Sequence, residues 1–364
     1  MNHRSCVSLV FGLCMIGAAA AAAPRIESVG MSEPQPQAGD AATIWYDDFN
    51  GRPKAYTESQ GEVDRREGFG GAGGAMRCRY EQGKQGEGNR KVFFGDSPVG
   101  RVVRKGESFD TVYWRLYVKH QPGWTGAPDK MSRATSLVTE KWNQAMIAHV
   151  WSSGESLTLD PASGVRGDRV VTTRYNDFDQ LHWLGNKPVS EFKIHATEEA
   201  GWWVCVESMA RLNTPGKKDG ENRLWLDGRP ACVRTNLDFR GTFTGKGINA
   251  VFLEAYWNKG SPVAQQRWYD NFVISTRPIG PVVCPCRPVL IRAAGAAWEA
   301  EIAAGDDANV TVWRSSELLA SADRVTADAL APDTLHRCRI RERATGGSWG
   351  EWSPWHQAFR TGPP

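Results

Sequence analysis

Beyond residue 23 the 364-residue sequence has no apolar run long enough to cross a bilayer as a helix, which takes about 20 residues. It also lacks a dominant charge. Its 44 Lys and Arg nearly balance 41 Asp and Glu, for a net charge of +3, so attraction to an anionic ligand must come from local clusters and not from the overall field. There is no basic stripe, and no nucleic-acid partner is expected. Apolar repeats at helical spacing are almost missing, which argues against a bundle. The closest cysteine pair, Cys284 and Cys286, encloses one residue and has no second pair at finger spacing, which disfavours zinc.

What the chain does have is turns and aromatics. With 38 Gly, 20 Pro and 16 Trp, its many short alternating runs punctuated by Gly, Asn and Pro read as an all-β, ligand-handling protein. The N-terminus carries a basic "MNHR", an apolar "SCVSLVFGLCMIG" and an alanine run to Ala23, the three parts of a signal peptide. Leu13 stands where a lipoprotein signal would place a small residue beside Cys14, which disfavours that alternative. The mature chain is expected to be secreted or periplasmic. It keeps six cysteines, Cys78, Cys205, Cys232, Cys284, Cys286 and Cys338, whose 15 pairings the sequence does not choose among.

The expected organisation is a signal peptide (1–23), a Pro- and Gln-bearing linker (24–42), a large sandwich (43–279), a linker "GPVVCPC" (280–286) and a small β module (287–364). In the small module "LAPDTLHRCRIRERATGGSWGEWSPWHQAFRT" resembles the last strands of a fibronectin type III domain. His336 occupies the place of that family's corner tyrosine, Cys338 and Ile340 continue the inward face, and Trp298 and Trp313 fit core positions of the second and third strands. "WGEWSPW" is expected to pack on arginines, with sugar stacking as the alternative.

In the large domain, alternation sorts side chains by face. "TVYWRLYVKH" places Val112, Trp114, Leu116 and Val118 on one face, and Tyr113, Arg115, Tyr117 and Lys119 on the other. "GWWVCVESMARL" opposes Trp202, Val204 and Val206 to Trp203, Cys205, Glu207 and Arg211. "QAMIAHVW" groups His149 with Ile147 and Trp151, and "INAVFLEAYWN" groups Glu254 with Tyr256. If these strands share one sheet, it has an apolar face and an opposite face on which aromatics alternate with guanidinium groups, a combination that stacks sugars and grips carboxylates. A solvated face with cross-strand ion pairs is the plainer reading.

The runs "ARLNTPGKKDGENRLWLDG", "EAYWNKGSP" and "YDNFVIST" resemble the concanavalin-like jelly-roll domain of polysaccharide lyases, in particular family 14 alginate lyases and glucuronan-lyase-like proteins, over residues 43–279. The resemblance implies β-elimination in a uronic-acid polymer: a substrate carboxylate is neutralised, the adjacent proton removed and the leaving oxygen protonated. It implies Tyr256 as acid/base, His149 as partner base, and Arg115 and Arg211 as carboxylate holders. Tyr113, Tyr117 and Glu207 would line the site, and Lys217 and Lys218 would extend a cationic wall. No catalytic cofactor is expected, and the chain is expected to act as a monomer. The alternative is a non-catalytic carbohydrate-binding or envelope adhesion protein.

Two further expectations concern carboxylates. Glu62, Asp64 and Glu67 in "EVDRRE" match the E-x-D-x-x-E spacing of retaining glycosidases, but Arg65 and Arg66 beside them favour a solvated charge run. Asp48 in "YDDFN" and Asp270 in "WYDNF" would share a structural calcium if the first and last strands of the sandwich are neighbours.

Overall fold

The computed structural model describes residues 23–305 and 310–363, so the expected signal peptide lies outside the described residues except for Ala23. Two eight-stranded, almost wholly antiparallel sheets pack face to face as a jelly-roll sandwich between Thr43 and Ser275. We call them back and front. The spine of the back sheet runs Arg229–Leu237, Gly220–Leu226, Trp203–Arg211, Thr111–His120, Gln265–Ser275 and Ala75–Tyr80. That of the front sheet runs His182–Trp183, Ser156–Ser163, Gln144–Ser153, Lys130–Leu137, Ala250–Tyr256 and Asn89–Phe94.

Between them lie the faces that alternation marks as apolar. Val112, Trp114, Leu116 and Val118 of the back sheet meet Met146, Ala148, Val150, Val251 and Leu253 of the front sheet in one buried cluster. A buried indole N–H needs an acceptor, and Trp114 Nε1 donates across the core to Ser132 Oγ at 3.0 Å. The turn after Gly220–Leu226 has the Asp-Gly signature, and both residues take positive φ, 48° and 72°, as a tight hairpin with right-handed twist requires.

The C-terminal part is a second, smaller sandwich. A five-stranded sheet, Val283–Cys284, His356–Thr361, Leu335–Arg343, Ala297–Ala304 and Thr311–Arg314, packs on a three-stranded one, Ser28–Val29, Val289–Ile291 and Arg324–Thr326. Trp298, Cys338 and Ile340 are fully buried in it, while Trp313 is half-buried on the strand after Trp298. His336 donates from Nδ1 to the Thr334 carbonyl at 2.9 Å, a bond back to the preceding loop.

Neither expected linker is one. In 24–42, Ile26 and Val29 are buried in the second sandwich and the Ser28–Val29 strand pairs with Leu290 and Ile291. In 280–286, Val282 and Cys284 are buried and Val283–Cys284 is a sheet strand. Short apolar residues spaced between prolines read as tether by composition, but tertiary burial decides. The six cysteines among the described residues are all thiols, buried except for the half-buried Cys286.

Candidate functional site

The outward face of the front sheet carries the densest set of chemically able side chains. Pairing places Phe252, Arg133, His149 and Asp160 in one row across four adjacent strands. One step along, Tyr256 lies opposite Lys130, which lies opposite Trp151. A bulge makes this second group. Lys130 and Arg133 are three apart and would face oppositely in a regular strand, but Met131 and Ser132 both turn to the core, and the register shifts at Val150/Trp151 and Leu253/Tyr256.

Charge and aromatic surface are interleaved here. Arg133 Nη2 pairs with Glu254 Oε1 at 2.6 Å and also reaches the Tyr175 hydroxyl, while Nη1 donates to Asn176 Oδ1 at 2.9 Å. Lys130 Nζ sits 4.2 Å from the Tyr256 ring centroid and 5.7 Å from that of Trp151. His149 is stacked on Trp183 at 6.0 Å, and Trp183 on Phe178 at 6.2 Å, giving a ladder that ends at a ring 53% exposed. The segment carrying Tyr175, Asn176, Phe178 and Trp183 is held by Asp177, whose Oδ2 accepts from Thr173 N and Oγ1 at 2.9 Å each, and by Leu181 packed with Ile147 and Ala162.

Burial sets the protonation states. It drives the His149 imidazole well below its ordinary range, and the charges of Arg133 and Lys130 push the same way, so the ring is neutral at pH 7. Burial also lowers Lys130, against the opposing pull of Glu254. Neither His149 nitrogen makes a hydrogen bond of good geometry, a backbone group of Asp160 only approaching it, and Arg133 Nε, Glu254 Oε2 and Asp160 Oδ1 are likewise buried without partners. A row kept only for packing would not leave so many polar atoms unsatisfied.

The residues expected to form one site are divided by this architecture. His149 and Tyr256 share the front face, but Arg115, Tyr113, Tyr117, Glu207 and Arg211 belong to the back sheet and point the opposite way. The assumption of a single sheet is therefore corrected. The aromatic and cationic back face is not solvated either: Tyr117 and Trp203 are packed with Val282 and Cys284 of the second sandwich. Arg115 donates to the carbonyls of Asn271 (Nη2, 3.2 Å) and Gly280 (Nη1, 3.1 Å), and Tyr117 Oη accepts from Val282 N at 2.9 Å. Glu207 accepts from Ile279 N and Gly280 N at 2.9 and 2.7 Å. Arg211 is paired with Glu221 at 2.8 Å, and Tyr113 lies against Trp225 at 6.4 Å. Lys217 and Lys218 are exposed in a turn closed by Asp219 on Thr214.

The other carboxylates also have structural partners. Asp270 accepts from Asn271 N and Phe69 N at 2.6 and 2.7 Å, while Asp48 accepts from Asn50 N at 3.1 Å and the Tyr46 hydroxyl at 3.3 Å. Among the described residues no group of three or more His, Cys, Asp and Glu is placed to hold a metal. Glu62 pairs with Arg77, Asp64 with Arg77 and Glu67 with Lys119, which accounts for the glycosidase-like spacing. In the second sandwich the tryptophans of "WGEWSPW" lie between arginines: Arg339 is 4.9 Å from Trp352 and 4.4 Å from Trp355, and Arg341 is 4.8 Å from both Trp349 and Trp352.

Alternation found His149 and Tyr256 but missed Lys130 and Arg133, because the bulge breaks the period in "KMSRATSL". Trp183 and Tyr175, in a segment with almost no strand, left no periodic signal.

No family model matches the sequence, and no curated protein does. Among solved structures the chain is similar to an endo-β-1,4-glucuronan lyase from the fungus Trichoderma reesei, at 16% identity and a TM-score of 0.43 over 65% of this chain and 96% of that one. It is similar to a family 14 alginate lyase from the marine Aplysia kurodai, at 14% and 0.45 over 65% and 100%. An alginate lyase from a Chlorella virus is similar at 12% and 0.40 over 59% and 91%.

Proposed function

We propose that the front-sheet face acts on an acidic, uronic-acid-containing polysaccharide by β-elimination, with Tyr256 transferring the proton and Lys130 neutralising the substrate carboxylate. The observation that carries this reading is the Lys130 ammonium, buried beside Trp151 and 4.2 Å from the ring of the half-exposed Tyr256. A proton next to a carboxylate becomes removable only when a cation or hydrogen-bond donor takes up the charge that develops there. Lys130 supplies that cation, and of the two carboxylates that pull on it, Glu254 is shared with Arg133 and Asp129 lies in the adjoining turn. The Tyr256 oxygen takes the proton as its own hydroxyl proton passes to the leaving glycosidic oxygen, whose bond to the ring carbon breaks as the double bond forms, so Tyr256 ends as it began. Neutral His149 and the Arg133–Glu254 pair hold the floor of the face, and Trp183 with Phe178 offers a stacking platform for a neighbouring sugar.

The test is ultraviolet absorbance of the new conjugated double bond, followed with alginate, glucuronan and pectate. A rise that Tyr256→Phe abolishes establishes the reaction and its proton carrier. Because an exposed Phe178 stacked on Trp183 also suits recognition without chemistry, co-sedimentation with one polymer and no absorbance rise would assign the face to binding alone.

A further inference from the structure

The front face ends at the His182–Trp183 strand, and side chains on either side of this short strand serve different places. Trp183 lies over His149, whereas His182 and Leu184 line a cavity of about 490 Å³ at the edge of the sandwich, together with Arg166, Arg234 and Lys218. That volume is within the range of small-molecule sites, roughly 300–1,000 Å³.

Its charge is one-sided. Arg166 donates to the Val165 carbonyl and Arg234 to the carbonyls of Leu184, Gly185 and Asn186, so both are fixed in place by neutral acceptors, and among the described residues no carboxylate pairs with either or with Lys218. The one acid in the lining, Asp238, accepts from Gly241 N at 2.8 Å. Lys218 arrives from the Thr214–Asp219 turn, which Asp219 closes at its base and which presents Lys218 at the cavity. An electropositive concavity with guanidinium groups already oriented suits a carboxylate.

We infer that this edge cavity is an anionic-sugar subsite, which takes the carboxylate of a uronate residue in the polymer stretch that continues past Trp183 and Phe178. The inference rests on the function proposed above for the source of the ligand, and the cavity itself requires only an anionic sugar. It gives the polymer a direction across the protein, from Tyr256 past the aromatic ladder to Arg166 and Lys218.

The experiment compares the full chain with Arg166→Gln/Lys218→Gln, two exposed positions whose replacement leaves the core intact. Calorimetry with a uronate trimer and a uronate hexamer, and nuclear magnetic resonance of the exposed His182 ring with glucuronate monosaccharide, are the readouts. The expected result is a hexamer affinity reduced about tenfold or more in the double variant, with the trimer unchanged and with the glucuronate-induced His182 shift lost. Equal hexamer binding by both proteins, with Tyr256→Phe inactive, overturns the subsite and leaves the proposed reaction standing. Should no uronate oligomer bind or react, the proposed function falls, and the His182 titration alone decides the cavity: a shift abolished by the double substitution upholds it, and no shift overturns it.

Discussion

Arg115 and Glu207, cross-strand partners in the back sheet, hold the two ends of one residue: Arg115 Nη1 donates to the Gly280 carbonyl at 3.1 Å and Glu207 Oε2 accepts the Gly280 amide at 2.7 Å. The peptide between the sandwiches is thus gripped by the very charges that the sequence presents as a sugar site. Arg115→Ala should lower stability by about 3 kcal/mol, since it leaves Glu207 buried without its counter-charge. Urea denaturation checks this, with faster proteolysis around residues 276–282 as a second readout. A raised KM for a polymer at unchanged stability would instead return Arg115 to the substrate.

Tyr256→Phe should lower kcat about 100-fold or more with little change in KM, the signature of a group used in the transition state and not in holding the ground state. Lys130→Met should lower kcat and also raise KM, because the cation contacts the substrate carboxylate before the proton moves. Steady-state absorbance kinetics separates the two.

Acid should weaken the fold through its histidines. Burial pushes His195 and His356 down to about 3 from an ordinary 6.5, and His120 and His149 move the same way. The unfolded chain therefore binds protons that the fold does not, so stability is whole above pH 6.5 and declines as pH falls through that value toward 3. Each such histidine contributes a slope of about 1.4 kcal/mol per pH unit in that window. Asp227, raised by burial to about 7, favours the fold at low pH and opposes the trend. His356→Gln should remove one proton's worth of slope between pH 6.5 and 4 in urea melts, since His356 Nε2 accepts the Ile26 amide at 2.7 Å and has no room for a proton.

Trp352→Ala should cost about 2 kcal/mol of stability, the loss of a half-buried ring held between Arg314, Arg339 and Arg341. Polymer binding should be unchanged. A loss of binding without loss of stability would make the Trp–Arg ladder a recognition surface.

The faces of single strands were legible from alternation: the apolar side of "TVYWRLYVKH" is core from Val112 to Val118, and the grouping of His149 with Trp151 is correct. Which strands lie side by side was not. Arg115 and His149 have the same alternating surroundings, and only the pairing of Thr111–His120 with Gln265–Ser275, and of Gln144–Ser153 with Lys130–Leu137, sends them to opposite sides. Lys130 was hidden for a local reason, a bulge that alternation has no means to show. Ile26 and Val29 were hidden for a global one, since two apolar residues in a polar stretch acquire meaning only when a partner strand far along the chain receives them.

That strand also fixes an order of assembly. Ser28 and Val29 pair with Ile291 and Leu290, so this N-terminal strand is among the last to be seated. A chain emerging N-terminus first carries Ile26 and Val29 exposed through most of its synthesis, and contacts so distant in sequence close slowly. The smaller sandwich cannot be completed by its own C-terminal residues alone; its three-stranded sheet waits for a strand made at the other end of the described chain.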